Sequence, residues 1–226
     1  GGSWDTIAGQ PTDDSELALT LARSLTAAGV YQEEDTARAY AGWLESGPFD
    51  IGGTTRTALG PAAAAAERGE SAAEAAHRAA TIDSQANGAL MRVSPLGILG
   101  VGAGEEAAQT LARADAGLTH PHQVCRDANA VFVTALAFAI ASGEEPEAVY
   151  RHALETTERR RVEPAVLETL RKAAAGPPGD YLRQQGWVLI AFQNAFYQLL
   201  HAGGLEAGVV DTVRRGGDTD TNGAIA

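Results

Sequence analysis

Apolar residues recur along this chain at the three- and four-residue spacing of helices, and almost nowhere at the alternating spacing of strands. Leu17, Leu21 and Leu25 share one face. They follow Thr12-Asp13-Asp14-Ser15, a run of residues that favour helix starts, with Glu16 in the first turn. The same reading predicts a second helix over 33–46, ended by Gly47-Pro48. A third, rich in alanine, covers 54–68, with Pro61 as a kink or break, and a fourth covers 71–81. Five glycines and Pro95 fall within 87–104. They predict a short helix or turn that opens into a loop. Helix resumes over 105–118. The segment 122–142 is long, mostly apolar and expected at the centre. An amphipathic helix over 146–161 belongs outside, followed by one over 164–175 and by the loop Gly176-Pro177-Pro178-Gly179. A second apolar helix is expected over 186–202, and a last one over 205–214. No fixed-period repeat and no hairpin pattern interrupts this order. The expectation is an all-α fold, a compact orthogonal helix bundle forming a single domain over 1–226, with two or more buried central helices.

Composition narrows the partners. A chain of 226 residues with 45% hydrophobic content can bury one substantial core. Its net charge of -12 argues against nucleic acid or an anionic membrane as partner. A polyanionic ligand stays compatible where cations or backbone N–H groups supply local positive charge. Cys125 is the one cysteine, so neither an internal disulfide nor a thiolate metal site is possible within the chain. A packed thiol on a buried helix face is expected, consistent with a cytoplasmic protein. The opening Gly2-Ser3-Trp4-Asp5 has no basic start and no apolar run, so no secretory leader is expected there. The most apolar stretch, 131–141, is too short to span a bilayer and reads as core. Phe192, Phe196 and Tyr197 read as core as well, and Arg159-Arg160-Arg161 as a solvated helix end.

The candidate chemistry sits near the two ends. Gly216-Gly217-Asp218-Thr219-Asp220-Thr221-Asn222-Gly223 places two carboxylates and two hydroxyls within four residues, behind a flexible Gly-Gly. Thr12-Asp13-Asp14-Ser15 offers a matching set. Each run alone reads as a helix N-cap. Together they carry more carboxylates than two helix starts need. Adjacent carboxylates repel, and oxygen donors of this kind suit a hard divalent cation. If the two runs meet in space, a metal-dependent hydrolase is expected.

These motifs, with three more in order between them, resemble the ADP-ribosylglycohydrolase family. Thr12-Asp13-Asp14 before a Leu-rich helix and Gly217-Asp218-Thr219-Asp220-Thr221 are similar to its two signature motifs. Asp50-Ile51-Gly52-Gly53-Thr54 is similar to its aspartate-glycine-threonine loop. Asn87-Gly88-Ala89-Leu90-Met91-Arg92 is similar to its asparagine-glycine-methionine-arginine segment, and Leu118-Thr119-His120-Pro121 to its threonine-histidine turn. The resemblance covers essentially the whole chain. It implies an all-helical fold holding two Mg²⁺ or Mn²⁺ ions, with Thr12, Asp13, Asp14, Asp218, Asp220 and Thr221 as metal ligands. It implies hydrolysis at the anomeric carbon of the distal ribose, releasing ADP-ribose from a modified acceptor. Asp13 or Asp14 would act as base. Asp50 matches an aspartate of the arginine-directed branch and would hold a guanidinium, so ADP-ribosylated arginine on protein is the expected substrate. Gly52, Asn87, Gly88, Met91 and His120 would contact substrate.

The sequence departs from the family pattern at a few points. Ser15 stands for a threonine, Ala86 for a glycine, and Gly53 for a polar residue of some arginine-directed members. The family pattern also places a further helix before residue 1 and another after residue 226. Two other readings share the same residues: a module that binds ADP-ribose without catalysis, and another two-metal hydrolase such as a phosphohydrolase.

Overall fold

The computed structural model describes residues 5–7 and 9–226; residues 1–4 and 8 lie outside the described residues, and with them most of the opening segment read for a leader. The described residues form twelve helices and no strand. They are α1 (Asp13–Ala28), α2 (Glu33–Glu45), α3 (Gly53–Glu67), α4 (Ala72–Ala79), α5 (Ser94–Ala103), α6 (Glu105–Gly117), α7 (Gln123–Ser142), α8 (Pro146–Arg159), α9 (Pro164–Ala175), α10 (Val188–His201), α11 (Leu205–Arg214) and α12 (Thr219–Ile225), with a single 3-10 turn at Leu90–Arg92. The expected all-α architecture is what the chain adopts. One isolated bridge pairs Ala86 with Trp187.

α7 is the central helix. It packs against α5, α6, α8, α9 and α10. Cys125, Ala128, Ala130 and Val133 on it are sealed from solvent. At 20 residues it is, by length and composition alone, the one described helix able to cross a membrane. The 11-residue apolar stretch was expected to fall short of that length, and the helix around it does not. Burial decides the matter instead: 67% of its apolar window is covered by neighbouring helices, as in a core element.

α1 presents Leu17 and Leu21, both fully buried, to the core. Burying each such side chain is worth about 1.5–3 kcal/mol. That face fixes α1 against α2, the 3-10 turn, α5 and α12. It therefore fixes where the aspartates of its first turn point.

Two expectations need correction. Pro61 does not end α3, which continues to Glu67. Pro61 is exposed, while Leu59 across the helix and Ala58, Ala62 and Ala65 flanking the proline are buried and hold the helix together. The glycine-rich segment after residue 93 is not a loop but the helix α5. Its glycines let it nest on its neighbours. A Cβ at Gly97 would stand 2.7 Å from Cβ of Leu136, and one at Gly100 2.8 Å from Cβ of Ala108. The close approach offsets the helix penalty of glycine, about 1 kcal/mol per residue.

The turn before α12 brings the end of the chain back to its beginning. Gly216 and Gly217 are both left-handed, with φ of 78° and 77°. A Cβ at Gly217 would lie 2.0 Å from the Tyr181 carbonyl oxygen, so the 176–187 loop seats directly on this glycine. Tyr181 is tied down in turn. Its hydroxyl donates to Asn194 Oδ1 at 2.7 Å, and the Asn194 amide donates to Thr212 Oγ1 at 2.9 Å. Loop, α10 and α11 thus form one clamp behind Asp218.

Two glycines of α5 separate packing from propensity. Gly97→Ala should lower unfolding free energy by about 1–3 kcal/mol through overpacking. Gly102→Ala, whose Cβ meets nothing within 4 Å, should raise it by up to about 1 kcal/mol. Denaturant unfolding of the two variants gives the signs. Equal effects would show that α5 does not pack through Gly97.

Candidate functional site

The first turns of α1 and α12 meet, since the two helices pack directly on each other. Asp13 and Asp14 open α1, Asp218 stands at the N-cap of α12, and Asp220 and Thr221 lie in its first turn. Neither Thr12 nor Asp218 caps its helix with its side chain. The capping explanation of these residues therefore fails. The Thr12 hydroxyl donates to Asp14 Oδ2 instead. Asn87 Nδ2 donates to Asp218 Oδ2 at 2.8 Å. The Gly52 N–H donates to Asp13 Oδ2 at 3.3 Å. Thr221 lies near Asp14 and Asp218 and favours their charged forms, while Asp220 beside Asp218 opposes its ionisation.

Crowding of like charge dominates the electrostatics. Burial first, then Asp14, Asp50 and Asp220, push the Asp13 carboxyl up to about 7. Burial first, with Asp220 and Asp218 adding to it, pushes Asp14 up to about 6 against the opposing Thr12 hydrogen bond. Asp218 is raised as well, by burial and by Asp220, with the Asn87 hydrogen bond opposing. Asp14 Oδ1 is buried without a hydrogen-bond partner. A buried carboxylate oxygen left unpaired is costly, and these groups await either protons or a cation. Among the described residues no group of three or more His, Cys, Asp or Glu side chains stands ready as a cation cage. The donor set is mixed: four carboxylates with the hydroxyls of Thr12 and Thr221. All are oxygens, the donor chemistry of Mg²⁺ or Mn²⁺.

The remaining residues singled out by sequence surround this corner at two depths. Asp50 lies half-buried in the loop before α3, near enough for its charge to raise Asp13. Gly52 is the N-cap of α3 and touches Asp13 as described. Asn87 is anchored by its N–H to the Gly186 carbonyl at 3.0 Å. Gly88 comes next and is only partly covered. Set back from the surface are His120, 1% exposed behind Gly88, and Met91, which belongs to the hydrophobic core. Burial, reinforced by Arg92, pushes the His120 imidazole down to about 3, so it is neutral at ordinary pH.

Sequence reasoning passed over three features. Trp187 is 37% exposed and its indole N–H donates to Gln85 Oε1 at 3.0 Å. The pair lines an open cleft with Gly186, beside Asn87 and Asp218. A tryptophan in the polar 180–187 segment was the available signal. Asn222 is wholly buried, and neither of its side-chain polar atoms has a partner. Arg92 and Asp115 form a fully buried ion pair at 3.0 Å. No local pattern marks either of the last two.

Comparison with known proteins identifies the family. The family model for ADP-ribosylglycohydrolase matches residues 2–226. The chain is 26% identical over 236 aligned residues to the ADP-ribosyl-[dinitrogen reductase] glycohydrolase of Rhodospirillum rubrum, covering 100% of this chain and 70% of that protein. A solved structure described as an ADP-ribosylglycohydrolase-related protein complex superposes with a TM-score of 0.80 at 26% identity, over 100% of this chain and 71% of the other. This chain belongs to the ADP-ribosylglycohydrolase family, a family of hydrolases acting on ADP-ribose linkages.

Proposed function

We propose that this chain is a metal-dependent hydrolase that cleaves the glycosidic bond between ADP-ribose and an acceptor, the acceptor being ADP-ribosylated arginine on protein. The observation that carries the reading is the meeting of Asp13 and Asp14 with Asp218 and the exposed Asp220 in one corner, where burial and the neighbouring carboxylates hold Asp13, Asp14 and Asp218 above their usual range. The orphaned Asp14 Oδ1 adds an acceptor with nothing to accept from. Thr12, Asp13, Asp14, Asp218, Asp220 and Thr221 would hold the cations. Two Mg²⁺ or Mn²⁺ ions would supply positive charge and Lewis acidity there.

The chain's own groups divide the remaining work. Asp13 or Asp14, in a site that raises proton affinity, takes a proton from the attacking water. The Gly52 N–H and the Thr12 hydroxyl hold these two carboxylates in place. Asn87 does the same for Asp218. Asp50, beside Asp13, accepts paired hydrogen bonds from a guanidinium leaving group, which supports arginine as the acceptor. The name of the Rhodospirillum rubrum relative supports a protein substrate. Trp187 gives the substrate a flat apolar surface beside the cluster. The same reading takes the protein as cytoplasmic and without nucleic-acid partners, on the strength of its buried Cys125 thiol and net charge of -12.

ADP-ribosyl-arginine incubated with the protein and Mn²⁺ should yield free ADP-ribose. Asp13→Ala or Asp218→Ala should lower kcat/KM by about a hundredfold or more. Asp50→Ala should penalise the arginine linkage far more than an O-linked one. Full turnover in the Asp13 and Asp218 variants would refute the assigned roles, and tight ADP-ribose binding without turnover in the parent would favour a binding module.

A stability measurement follows from the raised carboxyls. In the cation-free fold Asp13 and Asp14 titrate at about 7 and about 6, above their unfolded value of 3.8. The native state then holds more protons than the unfolded chain between those limits. Their contribution is complete below about pH 4 and is lost as pH rises through 7. Without cation, Tm should fall from pH 5 to pH 8, and less so in Asp13→Asn. Added Mn²⁺ should raise Tm strongly at pH 8 and weakly at pH 5, because protons compete for the same oxygens. A Mn²⁺ effect independent of pH would separate the ion from these carboxylates.

A further inference from the structure

We infer that Gln85 is a two-position latch on the Trp187 indole, and that the released indole N–H donates to an acceptor oxygen of the ligand in the cleft beside the carboxylates. The ligand, ADP-ribose, rests on the hydrolase reading above; the latch does not.

Four groups stand in single file. The Val124 N–H lies 3.1 Å from His122 Nδ1, His122 Nε2 lies 3.2 Å from the Gln85 amide nitrogen, and Gln85 Oε1 lies 3.0 Å from Trp187 Nε1. The groups at both ends, a backbone N–H and an indole N–H, can only donate. The two between them, a neutral imidazole and a side-chain amide, each offer a donor side and an acceptor side. Three contacts then meet four donor groups. Whichever tautomer the ring takes and whichever way the amide turns, one contact sets donor against donor. A protonated ring, a donor on both sides, leaves the mismatch larger.

The place of the mismatch follows from what each bond does. The Val124 N–H is one of the free donors in the first turn of α7, and His122 caps it. Keeping that cap puts the ring hydrogen on Nε2. His122 Nε2–H and Trp187 Nε1–H then compete for the one amide oxygen. The structure gives that oxygen to Trp187 and turns the amide nitrogen on His122. A half-turn of the amide gives the oxygen to His122 and sets the amide nitrogen against the indole, which must then swing away. Its backbone cannot follow. Trp187 is bridged to Ala86, its N–H donates to the Gln184 carbonyl at 2.7 Å, and the Val188 N–H donates to the Gln85 carbonyl at 2.9 Å. The movement is confined to the indole, which is exposed and borders the open cleft with Asp83, Gln184 and Gly186.

That cleft adjoins the carboxylates. A Cβ at Gly186 would stand 3.7 Å from Asp218 Oδ2 and 3.9 Å from Asn87 Oδ1. A ligand reaching from the carboxylates into the cleft can present an oxygen to the released indole. The amide oxygen then serves His122, and no donor in the file is left over. The ligand shifts the latch by as much as that added bond is worth. Gln85 does not touch the ligand; it is a positioning residue that holds or frees the Trp187 donor.

Hydrogen exchange of the Trp187 indole N–H, read by NMR, with calorimetric titration of ADP-ribose, tests this. The chain has three tryptophans, so the signal is assigned by its loss in Trp187→Phe. Gln85→Glu puts a carboxylate, which accepts at both ends, in place of the amide. His122→Ser keeps a cap for α7 and removes the rival donor. Each should slow exchange of the indole hydrogen roughly tenfold, the value of one hydrogen bond, and weaken ADP-ribose binding by a similar factor. Gln85→Ala should speed exchange and leave affinity within about twofold of the parent. Trp187→Phe, which keeps an aromatic face and loses the N–H, should weaken binding roughly tenfold. Exchange unchanged in both Gln85→Glu and His122→Ser, or slowed only by the added charge of the glutamate, would overturn the latch. A loss of affinity in Gln85→Ala as large as in Trp187→Phe would make Gln85 a ligand contact and overturn its releasing role. Full affinity in Trp187→Phe would overturn the indole donor. Absence of ADP-ribose binding in the parent would overturn the ligand assignment together with the hydrolase reading, while indole exchange still decides the latch.

Discussion

Carboxylates that must share one corner repel each other, and the contacts that join the two ends of this molecule hold such a group together. Asp13, Asp14 and Asp218 are each held above the ordinary carboxylate range by loss of water and by one another. A fold tolerates such crowding only if protons or cations relieve it. The surroundings oppose it only in part, through the Gly52 N–H, the Asn87 amide and the hydroxyls of Thr12 and Thr221. These groups orient oxygens without neutralising them. Such crowding is the ground on which the cation of the proposed reaction is argued.

The scaffold spends its rigidity on keeping that corner assembled. The leucine face of α1 anchors one half. The other half hangs on Gly217, pressed against the Tyr181 carbonyl, and on the Tyr181–Asn194–Thr212 chain behind it. Neither half contains the site alone. The 3-10 turn between them touches both α1 and α12, and the Asn87 preceding it bonds to Asp218.

Arg92 and Asp115 show the opposite solution to buried charge. Here opposite signs meet at 3.0 Å with full burial, and Tyr40 and the Asp115 carbonyl satisfy further valences. A pair so completely bonded is costly to break but adds little net stability over an apolar core. What it does add is direction: a charged donor that cannot rotate away. The matched pair thus stiffens the Asn87–Gly88 wall, and the unmatched carboxylates beyond it remain available for chemistry.

The helices from α1 to α4 and from α6 to α11 are legible in the chain because leucine and alanine recur at helical spacing and because glycine and proline punctuate them. Local pattern misled where contact overrode it. Gly97 and Gly100 look like loop residues until α7 and α6 are seen against them, and Pro61 looks like a stop until the buried residues of α3 around it are seen. The acidic runs at 12–15 and 216–223 announced oxygen chemistry by composition, and their order with the motifs between them announced the family. Asn222, Arg92 and Trp187 stayed hidden because a single residue's burial or exposure has no period. The sequence by itself determined which residues could form helices and which oxygens were in excess. Only the tertiary structure decided that α1 and α12 meet, that His120 and Met91 sit behind the surface rather than on it, and that Arg92 finds Asp115. Those outcomes depend on contacts between residues far apart along the chain, and no local run of amino acids encodes a distance through space.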